Sequence, residues 1–427
     1  MKRIFLCGLI ALVYCAATLQ AQTDSPDRYR RSSLYPILIK YPEKTFSAAI
    51  EEVYKSIPLS DKFNSHDLKF KIINAGPPRK NAPKDLSQLE TTKHFITTNN
   101  MGRRLVAKWF NHDNETGAFD LDLIRERGLF DASHVDIQIA QASARGRAML
   151  QDAGEELIGN TYVIFNDIQY INKEDNAQLA KLIFMSVAAG AATFADELSG
   201  NTPANNTTNT AVAISQLASA TAFLGGTISD AISGFSVTVT SYLYRLDWND
   251  DIAGTFYEKH YADRNNPSSQ KSDAFNRDRT TFTMTFVGAQ TVQSGKTSIK
   301  GTRTNEDMIR KVCTRAIDMS VVELQRKHDE FKIKEPLFST SPITAKIGVR
   351  EGITEKSKFE VLEKREDANG RTTYRRVGIV QPIRGKIWDN RYMAVEDDFA
   401  GANLEATEFK KISGNEFHPG MLIREIK

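Results

Sequence analysis

In the first part of the chain, the apolar residues follow first a strand-like, then a helical, then again a strand-like pattern. SLYPILIKY is a continuous apolar run that predicts a buried strand despite Pro36, and HDLKFKIINAG alternates apolar and polar positions as a second strand does. Between them, the stretch PEKTFSAAIEEVYKSI places Phe46, Ile50, Val53 and Ile57 three or four residues apart. This spacing is typical of an amphipathic helix, so the segment predicts the order strand, helix, strand.

Helical and strand-like patterns continue to alternate over the next part of the chain. Helical spacing is found in NNMGRRLVAKWFN, DLDLIRERGLF and DASHVDIQIAQASARGRAMLQDAGEELIG, and the strand-like run NTYVIFNDIQYI follows. Two long strands, GFSVTVTSYLYRLDW and TTFTMTFVGAQTVQ, precede the helix TNEDMIRKVCTRAIDMSVVELQRKHDEF, in which Ile309, Val312, Ala316, Met319 and Leu324 line the predicted inner face. This order predicts an α+β domain over residues 22–335, layered like an α/β fold with helices covering a mixed sheet.

After Pro336 the pattern changes to short strands separated by glycine. The strand-like runs are ITAKIGV, KFEVLEKR, TTYRRVGIVQPI and RYMAVED. Asn369-Gly370 lies between two of them and is typical of a hairpin turn. Residues 336–427 therefore predict a small all-β module, either a barrel or a sandwich.

The segment 177–233 differs in composition from the rest of the chain. Two arms rich in Ala, Ser, Thr and Gly flank the turn NTPANNTTN, and their apolar spacing predicts a helical hairpin inserted in the α+β domain. Leu198 to Ser229 contains no charged residue. Because small residues let helices approach closely, we expect an oligomer or membrane contact here, and its candidate residues are Gly190, Phe223, Gly225 and Gly226. The alternative is that the hairpin packs on its own sheet.

Residues 1–21 have the three parts of a signal peptide. MKR is basic, the run that follows is apolar, and Leu19-Gln20-Ala21 fits a cleavage site. Tyr14 precedes Cys15, which does not fit a lipoprotein signal, so we expect ordinary cleavage after Ala21. The exported chain would keep Cys313 as its single cysteine, which excludes a disulfide-stapled fold.

The charge balance and the motifs exclude several classes of function. With 56 Lys+Arg against 53 Asp+Glu, the chain lacks the basic excess that nucleic-acid binding needs. Gly295-Lys296-Thr297 ends like a phosphate-binding loop, but Gln290 stands where that loop requires a glycine. None of the histidines lies three or four residues from another, the usual spacing of zinc ligands. We therefore predict no catalytic motif, metal or cofactor. An alternative is a hydrolase or ligand-binding protein with a site assembled from dispersed residues at a strand end: Asp247, Trp248, Asp250 and His260.

The order of elements resembles that of a known family. GRRLVAKWFN, FDLDLIRERGLFDA, a helix ending in AMLQDAGEELIGN and the strand TYVIFNDIQYI follow one another as in the curli-secretion pore lipoprotein family and the related middle domain of the flagellar assembly protein T family. The helix from Asn305 to Phe331 is similar to the one that closes those domains. ITAKIGVREGITEKSKFEVLEKREDANGRTTYRRVGIVQPI looks like the small C-terminal β module of the flagellar protein.

The chain departs from this family in two features. It lacks a lipoprotein signal, and it has the predicted helical hairpin where the pore family has membrane-inserting β-hairpins. The resemblance implies a periplasmic, non-enzymatic envelope domain that binds other proteins. We therefore expect an exported protein of the periplasm or outer-membrane periphery that acts in assembly or secretion. Its expected partners are other envelope proteins, with a homo-oligomer and membrane association through 177–233 as candidate contacts and no nucleic acid.

Overall fold

A computed structural model describes residues 31–44, 47–57, 60, 62–77, 86–129, 151, 154–172, 234–297, 305–366, 372–392, 394, 401 and 403–426. These residues form a mixed sheet with helices on both faces, followed by a closed antiparallel barrel. The structure thus confirms the predicted α+β class with a C-terminal all-β module.

The sheet runs in the order β2-β1-β4-β5-β6, with β3 also paired to β1. β1 is parallel to β2, β3 and β4, whereas β4, β5 and β6 are antiparallel neighbours. The strands are β1 (Ser32–Lys40), β2 (Phe63–Asn64), β3 (Ile72–Asn74), β4 (Thr161–Asn172), β5 (Gly234–Leu246) and β6 (Met284–Thr297).

Helices bury both faces of this sheet. One face packs against α1 (Ser47–Ser56) and α7 (Asn305–Lys327). The other packs against a larger group of helices: α2 (Leu89–Thr98), α3 (Met101–Trp109), α4 (Leu121–Leu129), α5 (Asp250–Lys259), α6 (Ser269–Arg277) and a helical segment at 154–159. Burial on both faces explains why β1 is a continuous apolar run rather than an alternating one.

Pro36 is accommodated in β1 by a gap in the neighbouring strands. β2 pairs with Ser32 and Ser33, and β3 pairs with β1 only from Leu38 onward. The N–H of Leu38 donates to the carbonyl of Lys71, on the side of β1 where β2 and β3 lie. Pro36 is two residues before Leu38, so its nitrogen faces the same side, between the ends of β2 and β3. The N–H that proline lacks is therefore not needed for pairing.

Two sequence predictions within the α+β domain are wrong in detail. The run HDLKFKIINAG forms a strand only at Ile72–Asn74, because Lys69 adopts a left-handed conformation with φ of 67° that interrupts the extended backbone. In α7, Met319 is 49% exposed rather than on the inner face, and the neighbouring Ser320 is fully buried instead. The Ser320 hydroxyl can be buried without an unsatisfied polar group, because it lies 2.7 Å from that of Ser241 and donates to the carbonyl of Ile317.

The C-terminal module is a six-stranded closed barrel in the order β10-β11-β8-β7-β12-β9. Its core includes Phe359, Val361, Val380 and Phe409. Its strands are β7 (Glu335–Thr340), β8 (Ile343–Ala345), β9 (Lys358–Glu366), β10 (Thr372–Pro382), β11 (Thr407–Gly414) and β12 (Leu422–Ile426).

The predicted strand RYMAVED does not form in its described part. Arg391 and Tyr392 lie in a bend and turn, because Asp389 accepts hydrogen bonds from both the backbone and the guanidinium of Arg391. The last two barrel strands come instead from residues after Leu404, which the sequence analysis did not assign. The hairpin turn predicted at Asn369-Gly370 lies outside the described residues.

Two helical glycines give a direct test of the packing around α3. A Cβ at Gly102 would overlap the backbone carbonyl of Phe282, whereas a Cβ at the exposed Gly254 of α5 meets no atom within 4 Å. We expect Gly102→Ala to lower the free energy of unfolding by about 1–3 kcal/mol. The control Gly254→Ala should raise it by about 0.5–1 kcal/mol, because alanine favours the helix. Urea unfolding of both variants measures this, and a Gly102→Ala protein as stable as the control would contradict the close approach.

Candidate functional site

The residues predicted as an oligomer or membrane contact lie outside the described part of the chain. Gly190, Phe223, Gly225 and Gly226 all belong to the segment 177–233, so their role stays a prediction. The structure does describe residues that flank this segment. Asn172 of β4 is paired with Phe235 of β5, so the chain leaves and re-enters the sheet at adjacent positions.

Asp247, Trp248 and Asp250, three residues of the alternative site, lie at the end of β5 and the start of α5. The Asp247 carboxylate accepts hydrogen bonds of 2.7 Å from the hydroxyls of Thr283 and Thr285. Trp248 packs against Phe110 and Phe256 in the core, and Asp250 begins α5. These contacts join β5 to β6 and close the domain core, which is a structural role.

His260, the fourth residue of that site, belongs to a different cluster. Its Nε2 lies 3.1 Å from the Asp278 carboxylate, and the His260 ring is buried beside Phe275 and Phe282. Burial lowers the pKa of His260 although Asp278 opposes this. Burial alone would raise the pKa of Asp278, but hydrogen bonds from Thr281 and its neighbour outweigh this and lower it. The structure therefore keeps His260 and Asp247 in two separate clusters.

The structure also shows the conformation of Gly295-Lys296-Thr297, the motif that ends like a phosphate-binding loop. Lys296 and Thr297 belong to β6 and pair with Phe235 and Gly234 of β5. An extended, paired backbone cannot curl its N–H groups around a phosphate. This agrees with the prediction that the motif is not a nucleotide site.

A cavity of about 70 Å³ lies between the α+β domain and the barrel, and we call it the junction cavity. Most of its lining is apolar: Leu34, Ile57, Phe63, Ile164, Ile317, Val321, Val322 and Ile333. Its polar lining includes Asn166, Asp318, Gln325, Arg350 and Glu351. A second cavity of about 40 Å³ shares Gln325 and Glu351 with it and continues between α7 and the barrel. Concave, mainly apolar sites with a few polar groups are the usual form of a binding site.

An ion pair crosses the junction at this cavity. Asp318 of α7 lies 3.0 Å from the Arg350 guanidinium of the barrel, and the two side chains are only 14% and 16% exposed. Burial raises the pKa of Asp318 to about 6, although Arg350 and Arg315 oppose the shift. The Asp318 carboxylate therefore becomes protonated at mildly acidic pH, while the Arg350 guanidinium keeps its charge.

Two further contacts hold the barrel against the domain. Arg326 of α7 donates a 2.9 Å hydrogen bond to the carbonyl of Gly352, and Lys62 lies 3.2 Å from Glu335 at the start of β7. Gly352 has a φ of +76°, and a Cβ there would overlap Val322 of α7, so the turn approaches the helix as closely as a glycine permits. The barrel is thus attached by buried polar contacts as well as by packing.

A buried hydrogen-bond network forms the side of the junction cavity that faces the sheet. Asn166 of β4 accepts a 2.7 Å hydrogen bond from Ser241 and donates one of 2.8 Å to Tyr54. The Ser241 hydroxyl also lies 2.7 Å from that of Ser320 on α7. Since every member is satisfied, the network fixes the register of α1 and α7 on the sheet.

Among the described residues, the thiol of Cys313 does not line the junction cavity. Cys313 packs in the core between α7 and the sheet, where burial raises the pKa of its thiol to about 12. Within the described ranges, no group of three or more His, Cys, Asp or Glu could hold a metal ion. Of the helices in the same ranges, none is long and apolar enough to cross a membrane.

The raised pKa of Asp318 predicts a measurable pH dependence. Because its pKa is about 6 in the folded protein and 3.8 ordinarily, the folded state binds more protons between these values. Asp318 therefore makes the free energy of unfolding fall as pH rises from 4 to 7. We expect the wild type to lose up to about 3 kcal/mol relative to Asp318→Asn over this range.

Urea unfolding at several pH values measures this difference. The control is Asp122→Asn on α4, whose side chain is 88% exposed, and its curve should run parallel to that of the wild type. A wild-type curve parallel to that of Asp318→Asn would contradict the assignment.

Comparison with known proteins gives this chain no family. No family model matches the sequence, and no curated protein matches it either.

Proposed function

We propose that this protein is a non-enzymatic scaffold of the cell envelope that acts in assembly or secretion through contacts with other envelope proteins. The observation that carries the proposal is the junction. Buried polar contacts attach the barrel to the α+β domain, so that two modules present their outer surfaces together. A fixed arrangement of binding surfaces suits a scaffold, because little conformational entropy is lost when a partner spans both modules.

The surface of the barrel supports protein binding. Phe338 of β7 is 60% exposed and Ile412 of β11 is 48% exposed, whereas the other large apolar side chains of this module are mostly turned inward. The ammonium group of Lys346 lies 4.8 Å from the centre of the Phe338 ring. Aromatic residues are enriched where proteins bind other proteins, so the exposed Phe338 ring is the feature of this surface that supports the proposal.

Two features of the sequence support the same function. Residues 1–21 have the parts of a signal peptide, which directs the chain to the envelope. The resemblance to the curli-secretion and flagellar assembly families implies binding to other envelope proteins. Localisation in the periplasm or at the outer-membrane periphery belongs to the same proposal.

The junction cavity favours ligand binding as a second candidate function. Its volume of about 70 Å³ is smaller than the cavity of about 150 Å³ that holds benzene, so this candidate is restricted to a ligand of a few heavy atoms that contacts the apolar lining and the Asp318–Arg350 pair. This candidate uses residues other than the dispersed set Asp247, Trp248, Asp250 and His260, whose contacts belong to the domain core.

Crosslinking in intact cells tests the scaffold. We expect the full-length protein to be found in the envelope fraction and to crosslink reproducibly to a defined set of envelope proteins. The variant Phe338→Lys should lose most of these crosslinks, because it places a charge on the exposed barrel surface. Met319→Lys is the matched control, since Met319 is similarly exposed but lies on α7. A protein found only in the cytoplasm, or one without envelope partners in any variant, would refute the proposal.

A further inference from the structure

Helix α6 is anchored on the α+β domain by one buried side chain. Of its nine residues, only Phe275 is buried. The centres of the Phe119 and Phe282 rings lie 5.0 and 5.5 Å from that of Phe275. Two polar contacts accompany this packing: Arg103 of α3 donates to the carbonyl of Phe275, and Lys271 donates to two carbonyls at the end of α5 and just after it. A change that weakens the packing of Phe275 therefore loosens the whole helix.

Two histidine rings contact the same phenylalanine. The centres of the His112 and His260 rings lie 5.1 and 5.9 Å from that of Phe275. Nε2 of His112 and Nδ1 of His260 are buried, and neither makes a hydrogen bond with a described residue. In a protonated imidazole both nitrogens are donors, so protonation of either ring leaves a buried N–H without an acceptor.

The surroundings of His112 disfavour a positive charge. The Arg103 guanidinium lies 5.5 Å from the centre of the Phe275 ring, so a protonated His112 would share this site with a permanent cation. Burial lowers the pKa of His112, and Arg103 adds to the shift, whereas Asp113 opposes it. The folded protein therefore favours the neutral form of this ring.

His260 is also held in its neutral form, although a carboxylate lies beside it. Its side chain is 5% exposed, and burial is the main reason that its pKa is lowered. Lys259 and Lys271 add to this shift, and Asp278 opposes it without reversing it. Because Asp278 would partly stabilise a protonated His260, we expect His112 to contribute more to the response to acid.

Opening of α6 would return both rings to water, where the pKa of histidine is about 6.5. Since both pKa values are lower while the helix is packed, the open form binds more protons below this pH. Opening therefore becomes more favourable as the pH falls. The burial of Asp318 has the opposite effect, because it makes the folded protein more stable as the pH falls.

We propose that α6 is an acid-operated cover: protonation of His112 and His260 releases it from the domain and exposes the aromatic cluster of Phe119, Phe275 and Phe282 to solvent. This inference goes beyond the scaffold function, because it needs no partner and uses no residue of the barrel.

Hydrogen exchange of the full-length protein at pH 7 and pH 5 tests the release of α6. After correction for the pH dependence of intrinsic exchange, the opening constant of the α6 amides should rise about ten-fold or more at pH 5. The amides of β4 and β5 should show no such rise, because the release is local. This comparison separates an opening of α6 from unfolding of the whole domain.

Substitution of the two histidines tests their role. His112→Phe and His260→Phe keep an aromatic ring at each position and cannot be protonated. The double variant should show no rise in α6 exchange between pH 7 and pH 5, and His112→Phe alone should remove more of the rise than His260→Phe. His94→Phe is the matched control, because His94 is exposed on α2 and the variant should respond as the wild type does.

NMR titration of the wild type keeps the test decisive if a variant does not fold. The ring protons of His112 and His260 should titrate below the ordinary value of about 6.5. The proposal would be overturned by α6 amides that follow those of β4 at both pH values, by a rise that persists in the double variant, or by two histidines that titrate at pH 6.5 or above. None of these outcomes bears on the binding of envelope partners, so the two proposals fail independently.

Discussion

The burial of helix α7 is the contact on which the rest of the described structure depends. One side of the helix packs Val312, Cys313 and Ala316 against α1 and the sheet. The C-terminal half of the same helix carries Asp318 and Arg326, which bind the barrel. Loss of this helix would expose one face of the sheet and release the barrel, so a single element couples the core of one module to the position of the other. The junction cavity is a consequence of this arrangement, since α7, the sheet and a barrel turn enclose it.

Hydrophobic periodicity predicted the fold class because most elements bury one or both faces. It failed where a single backbone or polar interaction decides the local structure, as at Lys69, Ser320 and Arg391. The junction was not predicted. Asp318 and Arg350 belong to different modules, and their pairing arises only when the barrel docks. The only hint in the sequence was that Asp318 stands among the apolar residues of α7. The β6 edge was predicted as a strand, but strand order depends on pairing between distant segments and has no local signature.

The barrel surface is the proposed site of contact with envelope partners. Phe338 is exposed there. The titratable residues that the sequence brought forward as an alternative site, Asp247 and His260, are engaged in holding the domain core together.

Calorimetry tests the coupling by α7 most directly. If α7 joins the two modules into one cooperative unit, the wild-type protein should unfold in a single transition whose calorimetric and van't Hoff enthalpies agree. Replacing Arg350 and Arg326 by alanine removes two contacts of α7 with the barrel, and the variant should then unfold in two transitions. Two separate transitions in the wild type would contradict the account, because the barrel would then be an independent module.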